Sequence, residues 1–328
     1  MRLYICGNGF DRHHLLPTGY ENYKAFLREH NPSLLREYDY FPYLTETKDS
    51  DRWADVEAAL CIDYDELFYQ SVQANYPDVS SDSDSRWSEI DIDVEVLTRF
   101  INDFTGRSFF QWLYAANQTS AVADLALDKE ALFINFNYTN TLQRLYGIPE
   151  SSILHIHGAL KNLDVRDILG QDILPSFSTI EEVEILEPLA EADKWSNGYI
   201  RNEIQFGATG ITAEQVKADL SHQYENDDFY AVSIEPAIGK LVDFVDKSTK
   251  HPEENYDRLV AFIEGKDIDE VIVMGVSLGD ADDAYYSDIL VPRLKNAKWT
   301  FMLYGDDRSR IDNFTHRHQL TNVDIQKW

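Results

Sequence analysis

Apolar positions along this chain follow two rhythms. Short continuous runs, Leu3 to Cys6, Leu132 to Phe136, Ser152 to Ile156, Glu270 to Met274 and Lys298 to Leu303, are bounded by polar or glycine-containing turns. They read as buried strands, with a last strand at Asn322 to Gln326. Between them apolar residues recur every three to four positions, the spacing of one helix face. Tyr20 to Glu29 has this spacing, as do Trp53 to Gln70 (Val56, Leu60, Leu67, Phe68) and Val94 to Leu127 (Val96, Phe100, Phe104 and on to Leu113). Further helices are predicted over Glu235 to Val245, Glu254 to Glu264, Asp283 to Leu294 and Asp307 to His318. Pro77 to Asp93, rich in Ser and Asp, reads as a solvated loop, and residues 160 to 232 are irregular and acidic. Strands that alternate with helices make an α/β protein with a parallel sheet flanked by helices. A large helical insertion follows the first strand. The chain, 1–328, reads as a single domain, with a helical portion at about 20–128 and an irregular, partly helical insertion at about 160–265 between sheet segments.

Composition narrows the class. With 44% hydrophobic and 13% aromatic residues against only 15 Gly and 10 Pro, a mainly disordered chain is excluded. Charge excludes more: 29 Lys and Arg face 58 Asp and Glu, a net −29. Such a surface repels phosphate backbones and anionic membranes, and its cations are scattered singly, so neither direct nucleic-acid nor membrane binding is expected. An anionic ligand has to be held by short-range devices such as backbone N–H groups. The two cysteines, Cys6 and Cys61, support neither a disulfide framework nor a four-cysteine zinc site. No apolar run approaches a membrane span and the opening residues are too short for a signal-peptide core, so the cytoplasm is the expected location.

Candidate chemistry collects where strands end. Gly7-Asn8-Gly9 follows the first strand, where glycines let the backbone turn tightly and approach a phosphate or ribose; a plain tight turn explains them equally well. Asn137, after the second strand, puts an amide at the carboxyl edge of the sheet, while Asn140 suits an Asx-turn. His155 and His157, two apart on a strand, are expected to point to one side, with His157 the catalytic candidate and His155 a hydrogen-bonded structural residue. No metal is expected, since neither this pair nor His13-His14 has partners at ligand spacing. Gly275-Val276-Ser277-Leu278-Gly279 matches a nucleophile elbow, with Asp306, Asp307, His316 and His318 downstream for a serine-hydrolase triad. That reading leaves little chain for the later strands of such a fold and gives the earlier clusters no work.

In order, these motifs resemble a family. Gly7-Asn8-Gly9-Phe10-Asp11 with Leu16-Pro17-Thr18 and Tyr20, Trp53-Ala54-Asp55-Val56-Glu57, Phe136-Asn137-Tyr138-Thr139-Asn140, His155-Ile156-His157-Gly158, and Gly275-Val276-Ser277-Leu278-Gly279 with Asp282 and Tyr286 are similar to the AbiH family of bacterial phage abortive-infection proteins. Ile168-Leu169-Gly170 adds a minor likeness. The family in turn resembles the sirtuin-like proteins, which bind NAD on a Rossmann-like sheet. That likeness implies a phage-defence effector that hydrolyses NAD, with Asn137 and His157 catalytic and with Gly7, Asn8, Gly9, Phe10, Asp11, Gly275, Ser277, Leu278 and Asp282 contacting the nucleotide. The missing cysteine quartet separates it from zinc-bearing deacetylases. Two departures stand out. Thr139 occupies the place of an Asp in the Thr-Asn-Tyr-Asp turn of those enzymes, and the first loop ends in Asp11 where theirs, of Gly-Ala-Gly-x-Ser type, ends in Ser. A non-catalytic nucleotide-binding sensor or toxin is the alternative. An unidentified phage trigger or partner protein is implied, and a homo-oligomer is compatible. The acidic setting is expected to raise the pKa of His157 and move the optimum above neutrality.

Overall fold

The structure is a computed structural model that describes residues 1–44, 53, 56–77, 88–160, 207, 211–279, 282–303 and 308–328. In chain order, β1 (Arg2–Cys6) leads into α1 (Asn8–His13), then α2 (Tyr20–His30), α3 (Pro32–Tyr40), α4 (Val56–Ala59), α5 (Tyr64–Asn75), α6 (Glu89–Thr105) and α7 (Arg107–Asn117). The sheet resumes with β2 (Leu132–Asn135), α8 (Thr141–Tyr146) and β3 (Ile153–His155). Next come α9 (Ala213–Tyr224), α10 (Glu235–Ser248) and α11 (Tyr256–Ile263), then β4 (Glu270–Met274), α12 (Val291–Leu294), β5 (Lys298–Leu303), α13 (Arg308–Arg317) and β6 (Val323–Lys327).

All six strands are parallel, in the order β3-β2-β1-β4-β5-β6. This is the doubly wound arrangement of Rossmann-like sheets, in which the strand order reverses beside β1. β1 has no polar alternation because both its faces are covered. Leu3 and Ile5 join Val271, Val273, Leu132 and Ile134 on one face, while Tyr4 and Cys6 join Phe133 and Met274 on the other, with Tyr4 stacked on Phe133 at 4.9 Å. A third core fills the helical layer, where Tyr23 stacks on Trp112 at 4.9 Å and Tyr38 on Phe104 at 4.3 Å.

Several boundaries differ from the periodicity, each for a local reason. The stretch predicted as one helix from Trp53 to Gln70 is two, because Ile62 bridges to Leu44 and Asp63 then caps α5 by accepting from the Glu66 N–H (3.1 Å). The expected loop to Asp93 ends early: α6 begins at Glu89, with Glu89 and Asp91 suiting its first turn. Residues 78–87 of that loop lie outside the described residues, as do Ala54 and Asp55, most of 160–232 including Ile168-Leu169-Gly170, and Asp306 and Asp307. α3 arises where apolar spacing assigns nothing; Asn31 caps it and Pro32 opens it. Helix widens into π-helical turns at Tyr230–Ile234 and Tyr285–Leu290. Each runs up to a proline near the start of the next helix, Pro236 and Pro292, which lacks the N–H that would bond four residues back. Among the described residues no helix is long and apolar enough to cross a membrane.

Candidate functional site

The carboxyl ends of β1 and β4 lie where the strand order reverses, and the chain leaving each stays paired with the other. Gly7 N–H donates to the Met274 carbonyl (3.0 Å) and Gly9 N–H to the Gly275 carbonyl (2.7 Å), so the ladder continues past the strands. A Cβ on Gly9 would fall 2.6 Å from Gly275 Cα, and one on Gly7 would fall 2.7 Å from the Gly275 oxygen. Gly275 has φ +65°, and a Cβ there would lie 2.3 Å from Phe10 N. These glycines therefore clear space for one another. Gly-Asn-Gly is also no open loop, since α1 begins at Asn8. Asn8 is exposed, with its amide donating to the Thr18 carbonyl (2.8 Å), and Phe10 is buried against His14 and Tyr146.

Asn137 is buried and committed. Its Nδ2 donates to the Gly7 carbonyl (2.8 Å), tying the turn after β2 to the turn after β1. The Asx-turn is closed by Asn135, whose side-chain oxygen accepts from Asn137 N–H (3.1 Å), and not by Asn140. Beneath this turn the Thr139 hydroxyl donates to Asp11 Oδ2 at 2.6 Å. Burial pushes the Asp11 carboxyl up to about 6, against the hydrogen bonds of Thr139 and Thr141 and the charge of Arg144.

The two histidines of the His-Ile-His segment do not share a side. β3 ends at His155 and the chain turns through Ile156 and His157, with Gly158 at φ +81°. His155 faces α8, where Gln143 Nε2 donates to its Nε2 (3.0 Å) and its Nδ1 meets the Asn137 carbonyl (3.3 Å); burial lowers its pKa to about 4. His157 turns to the opposite face, among the rings of Phe136 (5.5 Å), Tyr285 (5.7 Å) and Tyr138 (6.3 Å). It is 2% exposed, with Nε2 2.9 Å from Asp282 Oδ1. Its Nδ1 is buried and has no hydrogen-bond partner among the described residues. An ionised Asp282 only accepts, so the proton sits on Nε2 and Nδ1 carries the lone pair. Asn137 and His157 thus belong to adjoining turns but are held by different partners, Gly7 and Asp282.

Two further charged residues act on this dyad through their charges and were assigned no site role by the motifs. Lys250, just past α10, has a side chain only 3% exposed and pairs with Glu57 of α4 at 2.8 Å; Tyr20 also donates to Glu57 (3.2 Å). Burial penalises the Lys250 ammonium, but Glu57, Tyr138 and Asp282 more than offset it and its pKa is raised. For Asp282, burial is outweighed by Lys250 and His157, and its pKa is lowered. The pKa of His157 is lowered too, by burial and by Lys250, against Asp282 and Glu57. The expected rise is overturned because desolvation and one buried cation outweigh the carboxylates. Glu57 sits inside a quoted motif, but Lys250 lies in a polar stretch, Asp246 to His251, that reads as surface.

Ser277 is exposed on the connection after β4, and the left-handed residues there are Gly275 (φ +65°) and Leu278 (φ +55°), not the serine. His318 pairs with Asp283 at 2.9 Å, so it is engaged elsewhere than a Ser277 triad. The His13-His14 pair is hydrogen-bonded: His14 to the Phe10 carbonyl (2.6 Å) and to Tyr146 Oη, and His13 to Asp124 (3.1 Å) while stacked on Trp328. Among the described residues no group of three or more His, Cys, Asp or Glu is placed to hold a metal ion.

Comparison with curated proteins finds no match, and comparison with solved structures finds none. A family model described as bacteriophage abortive infection AbiH matches residues 3–303, nearly the whole chain. The chain belongs to the AbiH family of bacteriophage abortive infection proteins.

Proposed function

We propose that this abortive-infection protein takes NAD as a substrate at the carboxyl edge of its sheet and hydrolyses it to ADP-ribose and nicotinamide, in response to a phage-derived trigger or partner. The observation that carries the reading is the buried His157–Asp282 dyad, in which His157 keeps Nδ1 free and is held neutral. In the reaction the C1′–N bond breaks, the nicotinamide leaves with the bonding pair, and water attacks C1′. The leaving group is already cationic, so little acid catalysis is needed. A positioned base is what helps, and His157 Nδ1 accepts the proton of the attacking water while Asp282 steadies the imidazolium. With the glycine N–H groups of the first turn engaged by β4, the pyrophosphate is left to exposed groups flanking them, Asn8 and Ser277.

One observation favours a second reading, a nucleotide-binding sensor without hydrolysis: Asn137 spends its amide on the Gly7 carbonyl. The test is NAD loss and nicotinamide release by the purified protein, with and without infected-cell extract. His157→Ala should lower turnover by about 10²- to 10⁴-fold, the usual contribution of a general base, and abolish phage protection while the fold survives. Because the pKa of His157 is lowered, its base form persists below the ordinary histidine range, and the acid limb of the rate profile should lie there too. Wild-type turnover by the folded variant would remove His157 from the mechanism. NAD binding without nicotinamide release under any condition would establish the sensor.

A further inference from the structure

Two consecutive aspartates in the segment after β4 each hold a histidine whose side chain is almost fully buried. Asp282 Oδ1 accepts from His157 Nε2 at 2.9 Å, while Asp283 Oδ1 accepts from His318 Nε2 at 2.9 Å and from Arg317 at 3.1 Å. The half-exposed Arg317–Asp283 pair is worth little by itself, whereas the buried imidazole is costly to leave unpaired. The end of α13 that carries His318 is closely fixed. Gln319 lies in the left-handed region (φ +53°), its N–H donating to the His316 carbonyl (3.3 Å) and Leu320 N–H to the Thr315 carbonyl (3.0 Å), a helix ending that glycine ordinarily serves. His318 N–H donates to the Phe314 carbonyl (3.0 Å), and its ring lies 4.4 Å from that of Phe314. Phe314 in turn meets Tyr286 (5.0 Å), Tyr286 stacks on Phe136 (6.1 Å), and Phe136 meets His157 (5.5 Å). Residues 282–286 are thus clasped between the end of α13 and the turn that carries His157.

We propose that His318, supported by Arg317, is a positioning residue for the His157–Asp282 dyad: by anchoring Asp283 it fixes the backbone of the adjoining Asp282, so that this carboxylate meets His157 Nε2 and leaves Nδ1 as the base. The inference rests on the NAD-hydrolysis reading for its use in catalysis. The two carboxylate–histidine contacts stand apart from that reading. Consecutive residues share a planar peptide, so a shift at Asp283 passes directly to Asp282. The Asp282–His157 contact, at 2.9 Å, is sensitive to it, because the hydrogen-bonding range ends at about 3.2 Å and a displacement well under about 1 Å already weakens the bond.

The test is steady-state NAD turnover by the full chain together with ¹⁵N NMR of the His157 ring. In the wild type the ring proton should sit on Nε2. His318→Ala should lower kcat by about 10- to 10²-fold, the scale on which small misplacements act, while KM for NAD stays within about twofold of wild type. In the same variant part of the His157 population should carry its proton on Nδ1. His318→Gln, whose amide nitrogen can take the place of Nε2, should restore most of the loss. Asp283→Ala cuts the same link at its more exposed partner and provides a folded protein if His318→Ala is unstable. The double variant should be no worse than either single one, since the two side chains act through one contact. The proposal is overturned if folded His318→Ala or Asp283→Ala keeps wild-type kcat with the His157 proton confined to Nε2, if the loss is confined to KM, or if the single effects multiply in the double variant. If NAD is not turned over at all, the hydrolase reading fails while the nitrogen shifts still decide the role of His318.

Discussion

Asp11 and Thr139 are bonded to each other at 2.6 Å, the acid coming from α1 and the hydroxyl from the turn after β2. The buried pair leaves a testable mark. The folded pKa of Asp11 is raised from 3.8 to about 6, so its contribution to stability is fully present below about pH 4 and is lost as pH rises through about 6. Asp11→Asn removes that dependence. Across this window the wild type should lose about 3 kcal/mol relative to the variant, as measured by urea unfolding at stepped pH. A constant difference between the two proteins would show that Asp11 ionises as it does in the unfolded chain. Single residues also mark the limit of reading from sequence. Asn137 and His157 were legible as polar groups at strand ends, but their partners Gly7 and Asp282 lie 130 and 125 residues away, and no local pattern encodes the pairing.

Elements were easier to read than partners. β4 and β5 coincide with their apolar runs because both are interior strands covered on two faces, where nothing competes with the pattern. Helix ends were harder to read, since a cap or a proline decides them and apolar spacing does not register either. The connection from β1 into α1 shows how an element can invert an ordinary rule. Gly→Ala inside a helix usually stabilises by about 1 kcal/mol. Gly9→Ala should instead destabilise the ligand-free protein by roughly 1–3 kcal/mol, the cost of forcing an atom into a filled contact, because the new methyl meets the Gly275 backbone. Thermal melting without nucleotide measures this. An unchanged or raised melting temperature would mean that the β1 and β4 connections separate readily and leave the turn open to a ligand.

At the scale of the molecule, a net −29 sets the background against which one buried cation acts. Self-repulsion of the surface should make the protein more stable as salt is added: raising ionic strength from about 0.01 M to about 0.15 M shortens the screening length from roughly 30 Å to roughly 8 Å, and the melting temperature should rise. A fall would show that surface ion pairs such as Arg2–Glu270 outweigh the repulsion. The Lys250–Glu57 pair, sheltered from solvent, should respond little. That pair joins segments 193 residues apart, and the His157 dyad closes only when Asp282 meets it. A chain that has not yet reached residue 282 has the histidine but not the carboxylate that fixes its tautomer. For a protein proposed to consume its own cell's NAD, this order of assembly withholds the dyad from any copy that lacks Asp282.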